Sequence, residues 1–345
     1  MNIALLKELC DTPGLPGDEN RIRDIFIREI REHTDRVKID VLGNIIANIP
    51  GKGPKLVLDA HMDEVGFMIN HIDERGFIHV TPLGGMDPRV FYGQRLLFWG
   101  KEPVTGMVGA IPPHISKNSN NSEVPDVDDC VVDVGLSAEK VKDILKTGDL
   151  ATFATRLEEN PDSVLSKAID DRVGLFVILE ALKKKNKLNC DLYVTATVQE
   201  EAGLRGARII TPVYEPDFVV ALEGTVAMDV PGIPDYKTMA NVGKGPEIRL
   251  SDRYLVAHRP FSFFLTELAE KNKIPYQMTV KKAGSTNATA MQVTGKGARA
   301  TVVSVPVRYL HSPTSIAYKS DIEHTINLIT VLLESIDKFG YETVV

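Results

Sequence analysis

The chain has 345 residues, 43% hydrophobic and 25% charged, with a formal net charge of −7. This is the composition of a globular protein of two domains or one large one, able to bury its core without staples. The acidic balance, with no basic run denser than residues 183–185, argues against nucleic acid as the main partner, and no apolar stretch approaches membrane-span length.

The opening MNIALLKELCDTPG predicts a short amphipathic helix that stops at Thr12-Pro13-Gly14. It carries acidic residues and lacks the apolar run of a signal peptide. ENRIRDIFIREIREH predicts a longer helix with Ile22, Ile25, Phe26 and Ile30 on one face. VKIDVLGNIIANI alternates as two strands through a turn at Gly43-Asn44, and KLVLDAH reads as a buried strand ending at His61. From about Gly66 to Asp162 strands dominate: FMINHID, GFIHVTPLGG, QRLLFWG, VTGMVGAI and CVVDVGL, with one short helix, SAEKVKDILK. Residues 66–162 are therefore expected to form an inserted small β-domain. Within it, 117–129 reads as an exposed loop, and Phe67, Phe91, Trp99 and Val104 as apolar residues free for a subunit interface.

Helices and strands then alternate: DRVGLFVILEALKKK, DLYVTATV, DFVVAL, RPFSFFLTELAEKNK, PYQMTV, ARATVVSV and a closing helix from Ser320. This pattern predicts an α/β fold with a mostly parallel sheet flanked by helices, built from 1–65 and 163–345. Cys10, Cys130 and Cys190 never form a C-x-x-C pair, which suits free thiols in a reducing compartment. A cytoplasmic protein is expected.

Candidate chemistry gathers where strands meet turns. His61 and Asp63 form H-x-D, in which a carboxylate can orient an imidazole. Glu200 and Glu201 end the TVQ segment ahead of a glycine turn, so one can face a metal and the other a substrate. Asp170-Asp171 reads equally as a ligand pair or as a helix N-cap with its first-turn acid. Glu223 follows an apolar run that suits no unpaired charge, and His311 ends another. The remaining histidines singled out, His71, His79, His114, His258 and His324, read as surface or core residues. Two histidines and several carboxylates, without cysteine, are the donor set for two neighbouring zinc- or cobalt-type ions. In an open α/β sheet such residues converge at the carboxyl ends of the strands.

The ordered segments DAHMDEVGFM, LGGMDPRV, KAIDDRVG, QEEAGLRGA, ALEGT and RYLHSP run over nearly the whole chain. Through them the sequence resembles the tetrahedral (TET) aminopeptidases, a dimetal peptidase family that includes glutamyl aminopeptidases and sequences labelled endoglucanase. The resemblance implies a zinc-peptidase-like fold and two divalent ions, zinc or cobalt, per subunit. His61, Asp170 and Glu223 would hold one ion. Asp170, Glu201 and His311 would hold the other, with Asp170 bridging. Glu200 would be the catalytic base, and Asp63 the support of His61. It also implies short peptide substrates, and assembly through the β-rich insert into dimers and then dodecamers. Two residues depart from the family pattern: Glu223 and Asn287 stand where many members carry Asp, which would remove a charge near the cavity at the latter. A glycoside hydrolase with paired carboxylates and a silent peptide-binding scaffold are the competing readings.

Overall fold

The computed structural model describes residues 1–110, 130–237 and 239–340. His114 and the loop expected at 117–129 lie outside them. Helices α1 (Ile3–Asp11) and α2 (Asn20–Ile30) bury the apolar faces read from their spacing, and the Asn2 side chain caps α1 by accepting from Leu5 N. The hairpin of β1 (Val37–Ile39) and β2 (Ile45–Ile49) turns where Asp40 Oδ1 accepts the backbone N–H groups of Leu42, Gly43 and Asn44. Gly43 has φ of +103° there, which a side chain would resist. Strand β3 (Lys55–His61) follows.

The next segment holds β4 (Gly66–Ile72), β5 (Ile78–Leu83), β6 (Arg95–Trp99), β7 (Pro103–Val108), β8 (Val131–Asp133), helix α3 (Ala138–Ile144) and β9 (Leu150–Phe153). These strands close into a barrel in the order β4-β5-β8-β7-β6-β9, with β9 pairing back onto β4. Its core corrects one expectation: Phe67 and Phe91 are each 1% exposed. Their rings pack edge to face at 5.2 Å, and Phe67 meets Phe153 in the same way at 5.4 Å. The alternation that marks these residues as apolar cannot say which face of a closed sheet they occupy. Trp99 is half-buried beneath the Arg21 guanidinium, and Val104 packs against the barrel core.

The chain then runs through β10 (Glu158–Glu159), β11 (Ser163–Ser166), α4 (Ile169–Lys184), β12 (Asp191–Thr197), α5 (Ile210–Tyr214) and β13 (Phe218–Val226). It ends with β14 (Glu247–Ser251), α6 (Arg259–Lys271), β15 (Gln277–Val280), α7 (Asn287–Val293), β16 (Arg299–Arg308), β17 (Ser315–Tyr318) and α8 (Lys319–Ser335). Eleven strands form one mixed sheet, with main path β1-β2-β12-β3-β13-β16-β17-β11-β10 and with β14 and β15 branching from β16. Its centre, β12-β3-β13-β16, is parallel, as expected, while both flanks are antiparallel.

Strand β13 is buried at every position but its last, because layers cover both faces of the sheet. Leu56, Leu58 and Val220 join the larger core with α1, α2, α4, α6 and α8. The alternate residues Val57, Val219 and Ala221 face α7 with Ala288 and Met291. By the same alternation His61 and Glu223 emerge on the α7 side, at the carboxyl ends of β3 and β13.

Candidate metal centre

Four parallel strands deliver most of the expected residues to one place. β3 ends at His61, which is 1% exposed. Its Nδ1–H donates to the carbonyl oxygen of Asp63 at 3.0 Å, leaving Nε2 directed at the carboxylates. The Asp63 carboxylate lies slightly farther from that ring, at 3.6 Å. Its two oxygens accept the backbone N–H groups of Glu200 and Glu201, each at 3.0 Å, so it fixes the turn after β12.

The pair at the head of α4 divides its work. Asp170 and Asp171, joined by a cis peptide, have non-helical φ/ψ. Asp171 Oδ1 accepts from Gly174 N at 2.9 Å, a helix cap, and its Oδ2 accepts from His61 N at 3.1 Å. Asp170 points the other way: Oδ1 lies 3.4 Å from His61 Nε2, and Oδ2 lies 3.2 Å from His311 Nε2. Cap and cluster member are thus adjacent residues. Glu223 Oε2 comes within 3.6 Å of His61 Nε2, and Glu201 Oε1 within 3.2 Å of His311 Nε2. His311 follows β16 with φ of +112°, a strained value for a side-chain-bearing residue, and its Nδ1–H donates to Gly85 O at 2.7 Å. Gly85 follows barrel strand β5, so the barrel segment braces this ring.

Ligand-type atoms fall into three sets lying within 4.8 Å: His61, Asp171 and Glu223; His61, Glu200 and Glu201; Asp170, Glu201 and His311. The first contains Asp171, although both its oxygens already accept backbone N–H groups. Asp170 Oδ1, by contrast, is buried without a hydrogen-bond partner.

Crowded carboxylates dominate the electrostatics. Burial, reinforced by neighbouring acids, pushes Glu200 and Glu223 well above the usual carboxylate range, against the pull of His61. Burial opposes charge on His61 and His311, yet adjacent carboxylates raise both well above an ordinary imidazole. Asp170, between the two rings, is held low despite its burial. The cluster is short of positive charge.

Asn287 is buried at the head of α7, outside the cavity lining. Its Nδ2 donates to Asp59 Oδ2 at 2.8 Å and to Thr197 Oγ1 at 2.7 Å. Burial pushes Asp59 up to about 6, and the amide offers it a donor.

A second buried group, unmarked in the sequence reading, lies beneath the cluster. Glu64 accepts from Lys167 Nζ at 2.8 and 2.7 Å, from Arg172 Nη2 at 3.4 Å and from Gly14 N at 3.3 Å. Arg172 also donates to the carbonyls of Leu9, Thr12 and Gly14. All three charged side chains are at most 3% exposed. The signal was present as a third acid directly after His61-Met62-Asp63 and a cation directly after Asp170-Asp171.

Above the cluster opens a cavity of about 1010 Å³, floored by His61, Asp170, Glu200, Glu201, Glu223 and His311. A zinc-peptidase-like sheet with imidazoles and carboxylates converging under a peptide-sized cavity defines a metallopeptidase. Residues 43–328 match the family model of the M42 glutamyl aminopeptidases, and the chain belongs to this family of metallopeptidases. It is 34% identical to a lysyl aminopeptidase of Pyrococcus furiosus, over 98% of each chain. An aminopeptidase from the archaeon Desulfurococcus kamchatkensis has the same fold, with a TM-score of 0.93 and 34% identity over 99% of this chain and 98% of that one. The Pyrococcus horikoshii TET1 peptidase, which can assemble into a tetrahedron or a large octahedral shell, matches with a TM-score of 0.86 and 33% identity over 96% and 98%.

Proposed function

We propose that this chain is a dimetal aminopeptidase that removes the first residue from short peptides. One observation carries the reading: Asp170 stands between two imidazoles, each with its Nδ1 committed to a backbone carbonyl and its Nε2 facing the acids. Such fixed tautomers suit Nε2 for a metal, and the unpartnered Asp170 Oδ1 suits a cation. His61, Asp170 and Glu223 would hold one divalent ion, and Asp170, Glu201 and His311 the other. Zinc and cobalt both accept this donor set. Bound there, the ions would supply Lewis acidity for amide hydrolysis.

The remaining chemistry belongs to the chain. Glu200, whose carboxyl is pushed upward by burial, takes a proton from the attacking water and returns it to the departing amine. Asp63 keeps that base in place through the Glu200 N–H. A glycosidase working through two bare carboxylates has no use for the paired imidazoles.

The barrel segment, 66–162, acts in this reading as the oligomerisation domain, giving dimers that build a dodecamer. The TET1 assemblies, and a TET1 structure solved as a dodecamer, support it. Among the described residues no helix is long and apolar enough to cross a membrane, and all three cysteines are free and buried. The free thiols suit a reducing, cytoplasmic compartment.

The decisive variant is Glu200→Gln, assayed on aminoacyl-anilides after zinc or cobalt is restored to stripped protein. It should keep its metal content and lose about 10²–10⁴-fold in kcat. Near-normal turnover would remove Glu200 from its role.

A further inference from the structure

Strand β12 ends at Thr197, so the backbone N–H groups of residues 198, 199, 200 and 201 lie beyond its ladder. Side chains from three other segments accept from all of them. Asn44 Oδ1, just before β2, takes Val198 N at 2.9 Å. Glu19 Oε1, just before α2, takes Gln199 N at 3.2 Å. The Asp63 oxygens take Glu200 N and Glu201 N, as described above. Backbone bonds from Arg205 N to Gln199 O at 3.1 Å and from Gly206 N to Val198 O at 3.0 Å close the turn. Asn44 Nδ2 donates to Gly206 O at 3.1 Å and ties that closure to the β1-β2 hairpin.

Glu19 is the unexpected member of this set. It stands at the N-cap of α2, where an acidic side chain ordinarily accepts from its own helix, yet it makes no such bond. It is instead 2% exposed, with Oε1 shared between Gly17 N at 2.9 Å and Gln199 N. Gln199 has φ of +56°, a left-handed value that a residue with a Cβ resists. It directly precedes Glu200. Peptide groups are planar, so fixing two successive N–H groups fixes the two dihedrals between them. Glu19 orients the Gln199 N–H and Asp63 the Glu200 N–H. The dihedrals between those planes are the φ and ψ of Gln199, and they set where the Glu200 side chain leaves the backbone.

We propose that Glu19 is a positioning residue for hydrolysis: by accepting the Gln199 N–H it locks the left-handed turn that aims Glu200 at the cavity floor. The inference rests on the reading of Glu200 as the base. Glu200 lines the cavity and Glu19 does not, so Glu19 acts only through the turn. Without its acceptor the first peptide plane is free to rotate and Gln199 relaxes toward negative φ. The base then swings away while Asp63 still holds the amide behind it.

The test compares metal-restored wild type with Glu19→Gln, Glu19→Asp and Glu19→Met, measuring kcat and KM on an aminoacyl-anilide and metal content. Gln keeps the acceptor at the same reach and drops the charge. Asp keeps the charge and falls one C–C bond short, about 1.5 Å. Met keeps the length without the acceptor. Gln should stay within about threefold of wild type, because its amide oxygen accepts as a carboxylate does. Asp and Met should lose about tenfold to a hundredfold in kcat, with KM and metal content nearly unchanged, as expected for a base displaced by about 1 Å. Hydrogen exchange on chelated protein gives a readout without turnover: residues 198–206 should exchange about tenfold faster in Asp and Met and not in Gln. Should Met fail to fold, the crossed pair of Gln and Asp decides alone. Unchanged kcat and exchange in Asp and Met, a loss in Gln as large as in Asp, or a loss carried by KM or metal content overturns the proposal. Those results, with Glu200→Gln inactive, leave the base assignment intact. Normal turnover in Glu200→Gln withdraws both.

Discussion

Replacing Glu64 with Gln removes the one carboxylate that, among the described residues, pairs directly with the buried cations Lys167 and Arg172. Gln preserves the volume and can still accept from Gly14 N, so the change is one of charge. Arg172 keeps three backbone carbonyls, whereas Lys167 has no other hydrogen-bond partner among the described residues. The cost should therefore fall on Lys167. Breaking a buried pair from one side typically costs about 3–5 kcal/mol. Lys167 has a way to limit that cost, because burial already lowers its pKa and without Glu64 it can fold as the neutral amine. Surrendering a proton from an unfolded value near ~10.4 costs about 4 kcal/mol at pH ~7.5 and about 2 kcal/mol at pH ~9. The sign follows: the variant's folded state binds fewer protons than its unfolded state, so its stability rises with pH across this window. Urea unfolding of the chelated protein at both pH values should show destabilisation of about 3–4 kcal/mol, shrinking to about 2 kcal/mol. Adding Lys167→Met should recover much of the loss. A loss below about 1 kcal/mol, or one equal at the two pH values, would refute the reasoning.

Metal counting on purified variants should show Asp170→Ala losing both ions while His61→Ala and His311→Ala each weaken a different one. Equal loss in all three would leave no bridge. Burial, together with nearby Asp63, pushes Glu19 up to about 7, although it accepts from Gly17 N and Gln199 N. Its folded pKa lies above the ordinary 4.5, so its contribution is whole below that pH and is lost as pH rises through about 7. Glu19→Gln should thus gain stability relative to wild type between pH 5 and pH 8 in paired urea titrations, and a difference independent of pH would contradict this. Mass measurement in solution should find a dodecamer; a monodisperse monomer that still cleaves peptides would give the barrel another purpose.

Long periodic elements were legible because burial writes directly into spacing. The face of α2, the parallel centre and the closing helix all follow from it. Strands β9, β10, β11, β14 and β17, and helices α5 and α7, are not legible in the sequence. Most are only two to five residues long, and α7 only seven. In β14 the buried positions include Glu247 and Arg249, whose mutual pairing erases the apolar alternation that marks a strand. The cluster residues were visible as polar groups stranded at the ends of apolar runs. What spacing could not show was the division between Asp170 and Asp171, because it depends on which carboxylate meets Gly174 N.

The bond from His311 to Gly85 spans 226 residues of sequence. The groups it helps assemble begin at His61, so no short fragment of the chain contains them all. During synthesis a ribosome must release residue 311 before that imidazole can reach Gly85. On the function proposed above, a growing chain therefore cannot complete its active centre until most of its sequence has been made.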